Sequence, residues 1–148
     1  MSVSLDVDHI LLGLEHASKQ KIIRAIGDRM IACGEVTARY VDGMLEKEEQ
    51  CSTWITEGVA LPHGTNAVKG EILRSSVVVA QLPQGVDWGG GKTIYLAIGV
   101  AGKGDDQHLK LLSGLARVLQ HRPNVDRLIR AGDPRELVSI LTATEPLI

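Results

Sequence analysis

Two histidines stand where an apolar run gives way to a loop, and they are the residues of this sequence best placed for chemistry. His63 lies between a proline and a glycine in "GVALPHGT", and His108 follows the glycine-containing stretch "AGKGDD". An imidazole is nucleophilic near neutral pH, because its unperturbed pKa of about 6.5 leaves much of it uncharged. A pair of imidazoles at two strand-to-loop exits therefore favours a site that handles an anionic group.

The residues flanking His63 constrain how its ring is presented. Pro62 fixes its own φ, and Gly64 lets the chain turn without a Cβ clash. We expect the backbone amides of Gly64 and Thr65 to be free at this bend, where they and the Thr65 hydroxyl can hold an anion. The alternative is that the segment is simply a turn.

His108 is expected in the first turn of the longest helix, three residues after Asp105. A helix N-terminus favours negative charge, so a phosphoryl group would meet unpaired amides and a second imidazole there. The alternative is a solvated polar residue in a first turn. The other three histidines, His9, His16 and His121, have polar neighbours and are expected on the surface without a role.

Hydrophobic spacing predicts helices on both sides of a strand-rich middle. Helices are expected after an N-cap at Ser18 up to Gly34, over "TARYVDGMLEKEEQ", over "QHLKLLSGLARVLQH" with Asp105 or Asp106 as its cap, over "NVDRLIRAG", and from an N-cap at Asp133 through Leu141. A loop is expected from the second helix to Gly58, followed by a short strand, "VAL", that stops at Pro62 because proline has no amide donor.

Two stretches are almost continuously apolar and rich in β-branched residues, as strands covered on both faces are. They run from Ser75 to Leu82 and from Thr93 to Val100. The glycines between them predict a hairpin or loop with Trp88 as a packing anchor. The fold class predicted is α/β, one domain over residues 1–148, with a mixed central β-sheet flanked by helices on both sides.

Composition excludes several classes of protein. The 148 residues carry a formal net charge of −2, with no long basic run, so nucleic acid is not an expected partner. The two cysteines lack a C-x-x-C pairing and fit free thiols in a reducing cytosol. The opening segment has neither a signal peptide nor a membrane span, so we expect a cytoplasmic protein that does not insert into a membrane.

Other motifs fail on spacing. "GGGKT" resembles a nucleotide-binding P-loop, but the glycine required six positions before Lys92 is Val86, and the segment precedes a strand. No H-x-x-x-H, H-x-H or H-E-x-x-H metal spacing and no G-x-S-x-G motif occurs. We therefore expect no cofactor and no metal.

The order of these motifs resembles a known family. "EGVALPHGT", "VVVAQLPQGVDW", "IYLAIGVAG" and "HLKLLSGLARVL" together resemble the enzyme IIA component of the bacterial phosphoenolpyruvate-dependent sugar phosphotransferase system (PTS), in its mannitol/fructose branch and most nearly its mannitol type. The resemblance covers essentially the whole chain, and it implies the same mixed sheet between helices.

The resemblance implies a phosphocarrier that supports uptake and phosphorylation of mannitol or a related sugar. His63 would accept a phosphoryl group from the phosphocarrier protein HPr and pass it to a cysteine of the cognate IIB domain, which serves the membrane transporter IIC. His108 would stabilise the phosphorylated imidazole. A family arginine that approaches the phosphoryl group falls on Lys47, a departure because lysine offers a point charge and no bidentate fork.

The site is expected to be shallow, with an apolar rim from Leu61, Val59 or the loop around Trp88, because two proteins must reach it in turn. Two rival functions stay open. One is the regulatory nitrogen-type enzyme IIA, which has the same fold and controls other proteins. The other is a metal-dependent hydrolase that uses His63 and His108.

Overall fold

A five-stranded sheet lies at the centre of the molecule, whose computed structural model describes residues 5–15 and 18–143. The strands are β1 (Ile10–Leu11), β2 (Trp54–Thr56), β3 (Val59–Ala60), β4 (Ser76–Asp87) and β5 (Thr93–Ala101). Their order across the sheet is β1-β4-β5-β3-β2. β1 pairs with β4 and β3 with β5 in parallel, whereas the β4–β5 and β2–β3 pairs are antiparallel. The sheet is mixed, as predicted.

Helices cover both faces of this sheet. They are α1 (Lys19–Ala32), α2 (Ala38–Gln50), α3 (Asp105–Leu119), α4 (Arg122–Arg130) and α5 (Pro134–Ala143), with short 3₁₀ turns at Val7–His9 and Asn66–Glu71. The Ser18 hydroxyl accepts the Lys21 amide at 3.3 Å, and Gly34, with φ +73°, turns the chain after α1. Both ends of this helix are therefore where the sequence predicts them.

Two hydrophobic cores lie on opposite faces of the sheet. Along β4, Val77 and Val79 join the core built with α3, α4 and α5, whereas Val78 and Ala80 join the core built with α1 and α2. Successive strand side chains point to opposite faces, so a continuous apolar run fills both cores. The predicted fold class is confirmed, and Trp88, only 1% exposed, is a packing anchor as predicted.

Three predicted details are wrong. The segment between α2 and Gly58 contains the short strand β2, whose three residues are too few to give a pattern. Neither Asp105 nor Asp106 caps α3, because Gly104 is the N-cap and both aspartates lie in the first turn. β4 continues past Leu82 to Asp87, and its pairing with β5 is irregular between Gln81 and Val86, the segment that contains Pro83.

The topology brings the two histidine-bearing loops together. β3 and β5 are parallel neighbours, so their carboxyl ends meet at the same edge of the sheet. The loop after β3 carries His63, and α3, which follows β5, carries His108. The Val100 amide of β5 donates to the Pro62 carbonyl at 2.9 Å and holds the first loop against the second strand.

Candidate active site

His63 is held by a hydrogen bond from its own loop. Its ring is half-buried, and Nδ1 lies 2.9 Å from the carbonyl oxygen of Leu61. A carbonyl oxygen only accepts, so Nδ1 must carry a proton, and in the uncharged form of the ring Nε2 then carries the lone pair. Nε2 makes no hydrogen bond to the described residues. The backbone therefore sets both the tautomer and the nitrogen that is free to react.

His108 faces His63 from the first turn of α3. The two ring centroids are 5.5 Å apart, and the ring planes are tilted by 58°. The approach depends on Gly102, where an added Cβ would lie 2.3 Å from the His108 Cα. Burial, and then the nearby His63, lower the pKa of His108, so its ring is neutral near pH 7. A neutral imidazole has one N–H to donate to an anion.

Tyr40 of α2 joins the His63 loop to the end of β5. Its hydroxyl donates to the Val100 carbonyl at 2.8 Å and accepts the Gly64 amide at 3.0 Å. Burial raises the pKa of Tyr40 to about 12, so the hydroxyl stays protonated. A Cβ at Gly64 would lie 2.7 Å from the Tyr40 ring, which is why this position lacks a side chain.

These contacts correct one expectation. The Gly64 amide is not free, because it is committed to Tyr40. The Thr65 amide, by contrast, makes no hydrogen bond to the described residues, as expected. Sequence analysis missed the role of Tyr40, because its spacing predicts only a buried residue on the apolar face of α2. The hydrogen-bond partners of its hydroxyl lie 24 and 60 residues further along the chain, so no local pattern indicates them.

A small cavity of about 60 Å³ opens beside His108. Thr65 lines this cavity, and its hydroxyl, which is inaccessible to solvent, has no hydrogen-bond partner among the described residues. Lys69 also lines the cavity, and its ammonium donates to Asp105 at 2.8 Å. This hydrogen bond lowers the pKa of Asp105. The residues around the cavity thus include a hydroxyl, an imidazole and a lysine whose ammonium is paired with the carboxylate of Asp105, which also lines the cavity.

Lys69 is a second residue that sequence analysis missed. The sequence places it six residues after His63, but nothing in that spacing says that the Asn66–Glu71 turn folds it back. Lys47, the residue suggested by the resemblance, is half-buried in the last turn of α2. It lines neither the cavity beside His108 nor the groove beside His63.

A groove of about 590 Å³ runs past His63 on the other side. Leu61 contributes to it, as expected, whereas Val59 is wholly buried and Trp88 belongs to the core under α1 and α2, so neither forms a rim. The apolar part of the lining comes instead from β2 and α3: Trp54, Ile55, Leu112, Ala116 and Leu119. This groove is open and broad enough for a protein surface.

The remaining histidines divide three ways. His121 is exposed, as expected. His16 lies outside the described residues. His9 is 3% exposed, which contradicts its predicted surface position, because both ring nitrogens bond to carboxylates, those of Asp6 and Glu35, at 2.8 Å. Paired in this way, a histidine can be buried in spite of polar neighbours in sequence.

No described helix is both long enough and apolar enough to cross a membrane.

Two opposed imidazoles at the ends of parallel strands, with an anion-sized cavity on one side and an open groove on the other, define the class as a phosphoryl-transfer protein. The two rings are close enough together for one phosphoryl-sized anion to contact both.

Comparison with known proteins gives the family. Residues 4–144 match the family described as "Phosphoenolpyruvate-dependent sugar phosphotransferase system, EIIA 2". The mannitol-specific phosphotransferase enzyme IIA component of Bacillus subtilis is 37% identical over 133 residues, 90% of this chain and 92% of that protein. The multiphosphoryl transfer protein of Salmonella typhimurium is 40% identical over 137 residues, 93% of this chain; the chain spans only 36% of that protein's length.

Solved structures agree. The crystal structure of IIA mannitol from Escherichia coli superposes with a TM-score of 0.87 and 30% identity over 94% of this chain and 99% of that one. The Escherichia coli complex of enzyme IIAMtl with phosphorylated enzyme IIBMtl contains a chain that superposes with a TM-score of 0.88 and 28% identity, over 95% of this chain and 99% of that one. The chain belongs to the EIIA 2 family of the PTS, so the family resemblance read from the sequence is confirmed.

Proposed function

We propose that His63 is the phosphoryl carrier of this protein, which accepts the group from phospho-HPr and passes it to a cysteine of a IIB domain that serves a membrane transporter for mannitol or a related sugar. The observation that carries the proposal is the hydrogen bond from His63 Nδ1 to Leu61, which leaves Nε2 as the nucleophile. One domain over residues 1–148 supplies all the residues of the site.

The first transfer forms one bond and breaks one. The Nε2 lone pair attacks phosphorus in line, while the P–N bond of the donor histidine breaks and its electron pair returns to the donor ring. In the second transfer a IIB thiolate attacks the same phosphorus, and the P–N bond to His63 breaks. Such transfers depend chiefly on positioning and on stabilising charge on the equatorial oxygens, so no metal is needed from this chain.

The phosphoryl oxygens have donors on the cavity side of His63. His108 offers one ring N–H, and Thr65 offers an amide and a buried hydroxyl that has no other partner among the described residues. Lys69 supplies positive charge from the cavity wall. Gly64 contributes by having no side chain, because this allows the His63 loop to pack closely against the Tyr40 ring.

The Lys47 assignment is weaker than that of Lys69. Lys47 lies in the last turn of α2 and lines neither the cavity beside His108 nor the groove beside His63. Lys69 already lines the cavity that His108 shares. We therefore propose Lys69 as the principal cation and Lys47 as a secondary one.

The apolar groove beside His63 suits partners that visit in turn. A face of modest area supports a transient interface, which a carrier between two proteins requires. Protein partners reach Nε2 from this side, while the cavity side holds the phosphoryl oxygens.

The direct test mixes the protein with phospho-HPr and follows the adduct by ³¹P NMR. We expect an acid-labile phosphohistidine bonded through Nε2, absent from His63→Gln and retained in His121→Gln, a matched change at an exposed histidine. His108→Gln should accept the group more slowly. An adduct that survives His63→Gln, or one bonded through Nδ1, contradicts the assignment.

Delivery to a partner separates the two PTS roles. Passage of the phosphoryl group to the cysteine of a mannitol-type IIB domain supports the transport function, whereas phosphorylation without passage supports the regulatory alternative. The hydrolase alternative has little support, because among the described residues the only potential metal-binding cluster of three His, Cys, Asp or Glu side chains includes neither His63 nor His108.

A further inference from the structure

A second cluster of chemically active side chains lies where α1 ends. His9 is the last residue of the 3₁₀ turn Val7–His9, and Cys33 and Glu35 flank Gly34 directly after α1. His9 and Glu35 are 3% and 2% exposed, and Cys33 is half-buried. The proposed transfer reaction uses none of the three.

We propose that His9, Cys33 and Glu35 bind a divalent transition-metal ion of the zinc type. The ligands are the His9 Nε2, the Cys33 thiolate and one Glu35 carboxylate oxygen, and water fills the fourth position. This function is separate from phosphoryl transfer, and its failure would leave the proposed carrier role intact.

The geometry is close to that of a metal site. One ligand atom from each of the three residues lies within 4.8 Å of the other two. Tetrahedral zinc, with bonds of about 2.0 Å to nitrogen or oxygen and about 2.3 Å to sulfur, holds its ligand atoms about 3.3 to 3.7 Å apart. His9 Nε2 and Glu35 Oε2 are 2.8 Å apart. That pair would open by about half an ångström as the ion replaces the proton between them.

The residues around the ligands orient them as metal ligands are oriented. The other nitrogen of His9, Nδ1, bonds to Asp6 at 2.8 Å, and the other oxygen of Glu35 accepts the Ser76 hydroxyl at 2.6 Å. A carboxylate behind a histidine fixes its tautomer and raises its basicity, the arrangement common in zinc sites. Because these two contacts use the other atom of each group, the facing atoms His9 Nε2 and Glu35 Oε2 are available for a metal.

The local charge favours a cation. The carboxylates of Asp6 and Glu35 converge beside the C-terminus of α1, which carries partial negative charge. The nearby guanidinium groups of Arg29 and Arg74 donate to the backbone carbonyls of Asp8 and Cys33 instead of neutralising these carboxylates.

The donor set selects the kind of ion. Imidazole, thiolate and one carboxylate suit Zn²⁺ and Co²⁺, whereas Mg²⁺ and Ca²⁺ prefer sites made wholly of oxygen ligands. Binding displaces the proton from Nε2 and the proton from the Cys33 thiol. The ion therefore exchanges for protons at this site and needs no redox partner.

Cobalt titration of the whole protein tests the proposal. Co²⁺ should bind at one equivalent and give the near-ultraviolet band of a thiolate ligand, and Zn²⁺ should displace it. Cys33→Ser should abolish the band and weaken Zn²⁺ binding at least about tenfold, whereas Cys51→Ser, the matched change at the exposed cysteine, should leave both unchanged.

Further variants distinguish this metal site from the carrier site and from a loss of folding. A His63→Gln/His108→Gln double variant should bind Co²⁺ normally, because the carrier site is elsewhere, and Ser76→Ala should keep the band with weaker affinity. Since Cys33 is half-buried, Cys33→Ser should fold, and far-ultraviolet circular dichroism checks this. No thiolate band at micromolar Co²⁺, a band that persists in Cys33→Ser, or one lost in the double variant would overturn the proposal.

Discussion

Removal of the Tyr40 hydroxyl tests whether one buried side chain holds the loop that carries His63 in place. Tyr40 is 2% exposed, and its hydroxyl bridges the Val100 carbonyl and the Gly64 amide. In Tyr40→Phe the ring stays in place and both backbone groups lose a partner. Gly64 borders the cavity and can turn towards water, so we count chiefly the buried carbonyl.

Leaving one buried polar group unsatisfied costs about 1 to 3 kcal/mol. We therefore expect Tyr40→Phe to lower the free energy of unfolding by about 2 kcal/mol, or Tm by about 4 to 8 °C for a chain of this size. The rate at which His63 accepts a phosphoryl group should fall about tenfold, because a loop displaced by a fraction of an ångström no longer presents Nε2 in line.

Urea unfolding and phosphoryl transfer from phospho-HPr measure the two effects. Tyr95 is the control, since it is the other tyrosine of the chain and is 37% exposed. Tyr95→Phe should change stability by less than about 0.5 kcal/mol. A Tyr40→Phe protein with the stability and transfer rate of the Tyr95→Phe control refutes the view that this hydroxyl organises the site.

Three more predictions follow from the site. Lys69→Met should slow phosphoryl acceptance about two- to fivefold, because a partly exposed pair of a lysine and a phosphoryl group is worth under about 1 kcal/mol. A larger effect of Lys47→Met in the same assay would make Lys47, and not Lys69, the principal cation. The lowered pKa of His108 means that the unfolded state binds its proton more readily, so stability should fall as pH drops below about 6.5; urea titrations of His108→Gln between about pH 5 and pH 7 should show a shallower fall. Gly102→Ala should destabilise the fold by about 1 to 3 kcal/mol, since the new Cβ would lie 2.3 Å from the His108 Cα, whereas Gly70→Ala, with no atom within 4 Å, should not.

The fold was predictable where pattern and length agree. β4 and β5 are long apolar runs, and they lie at the centre of the sheet as their sequences indicate. β2 has three residues, too few for an alternation to be visible, and it exists because β3 offers it hydrogen bonds. Such an edge strand is a consequence of tertiary pairing, which no local pattern records.

The site was predictable only in its local part. The segment around His63 carries its own constraints, and the direct bond from Nδ1 to Leu61 spans two residues. His9 shows the opposite case, because the carboxylate that allows it to be buried belongs to Glu35, 26 residues away. A polar neighbourhood in sequence predicts exposure only when no distant partner is present.

The direction of the His63 ring also bears on how the proposed carrier site would serve two partners. Since the backbone carbonyl of Leu61 accepts from Nδ1, a half-turn of the His63 ring would break this hydrogen bond. His63 itself lines the groove of about 590 Å³, whereas the next two residues, Gly64 and Thr65, line the cavity of about 60 Å³ beside His108. The smaller space is of the size of a phosphoryl group's oxygens and is too small for a protein, so the proposed function has donor and acceptor proteins both approach from the groove. Under that proposal, competition between the two proteins for one face would make the transfers sequential.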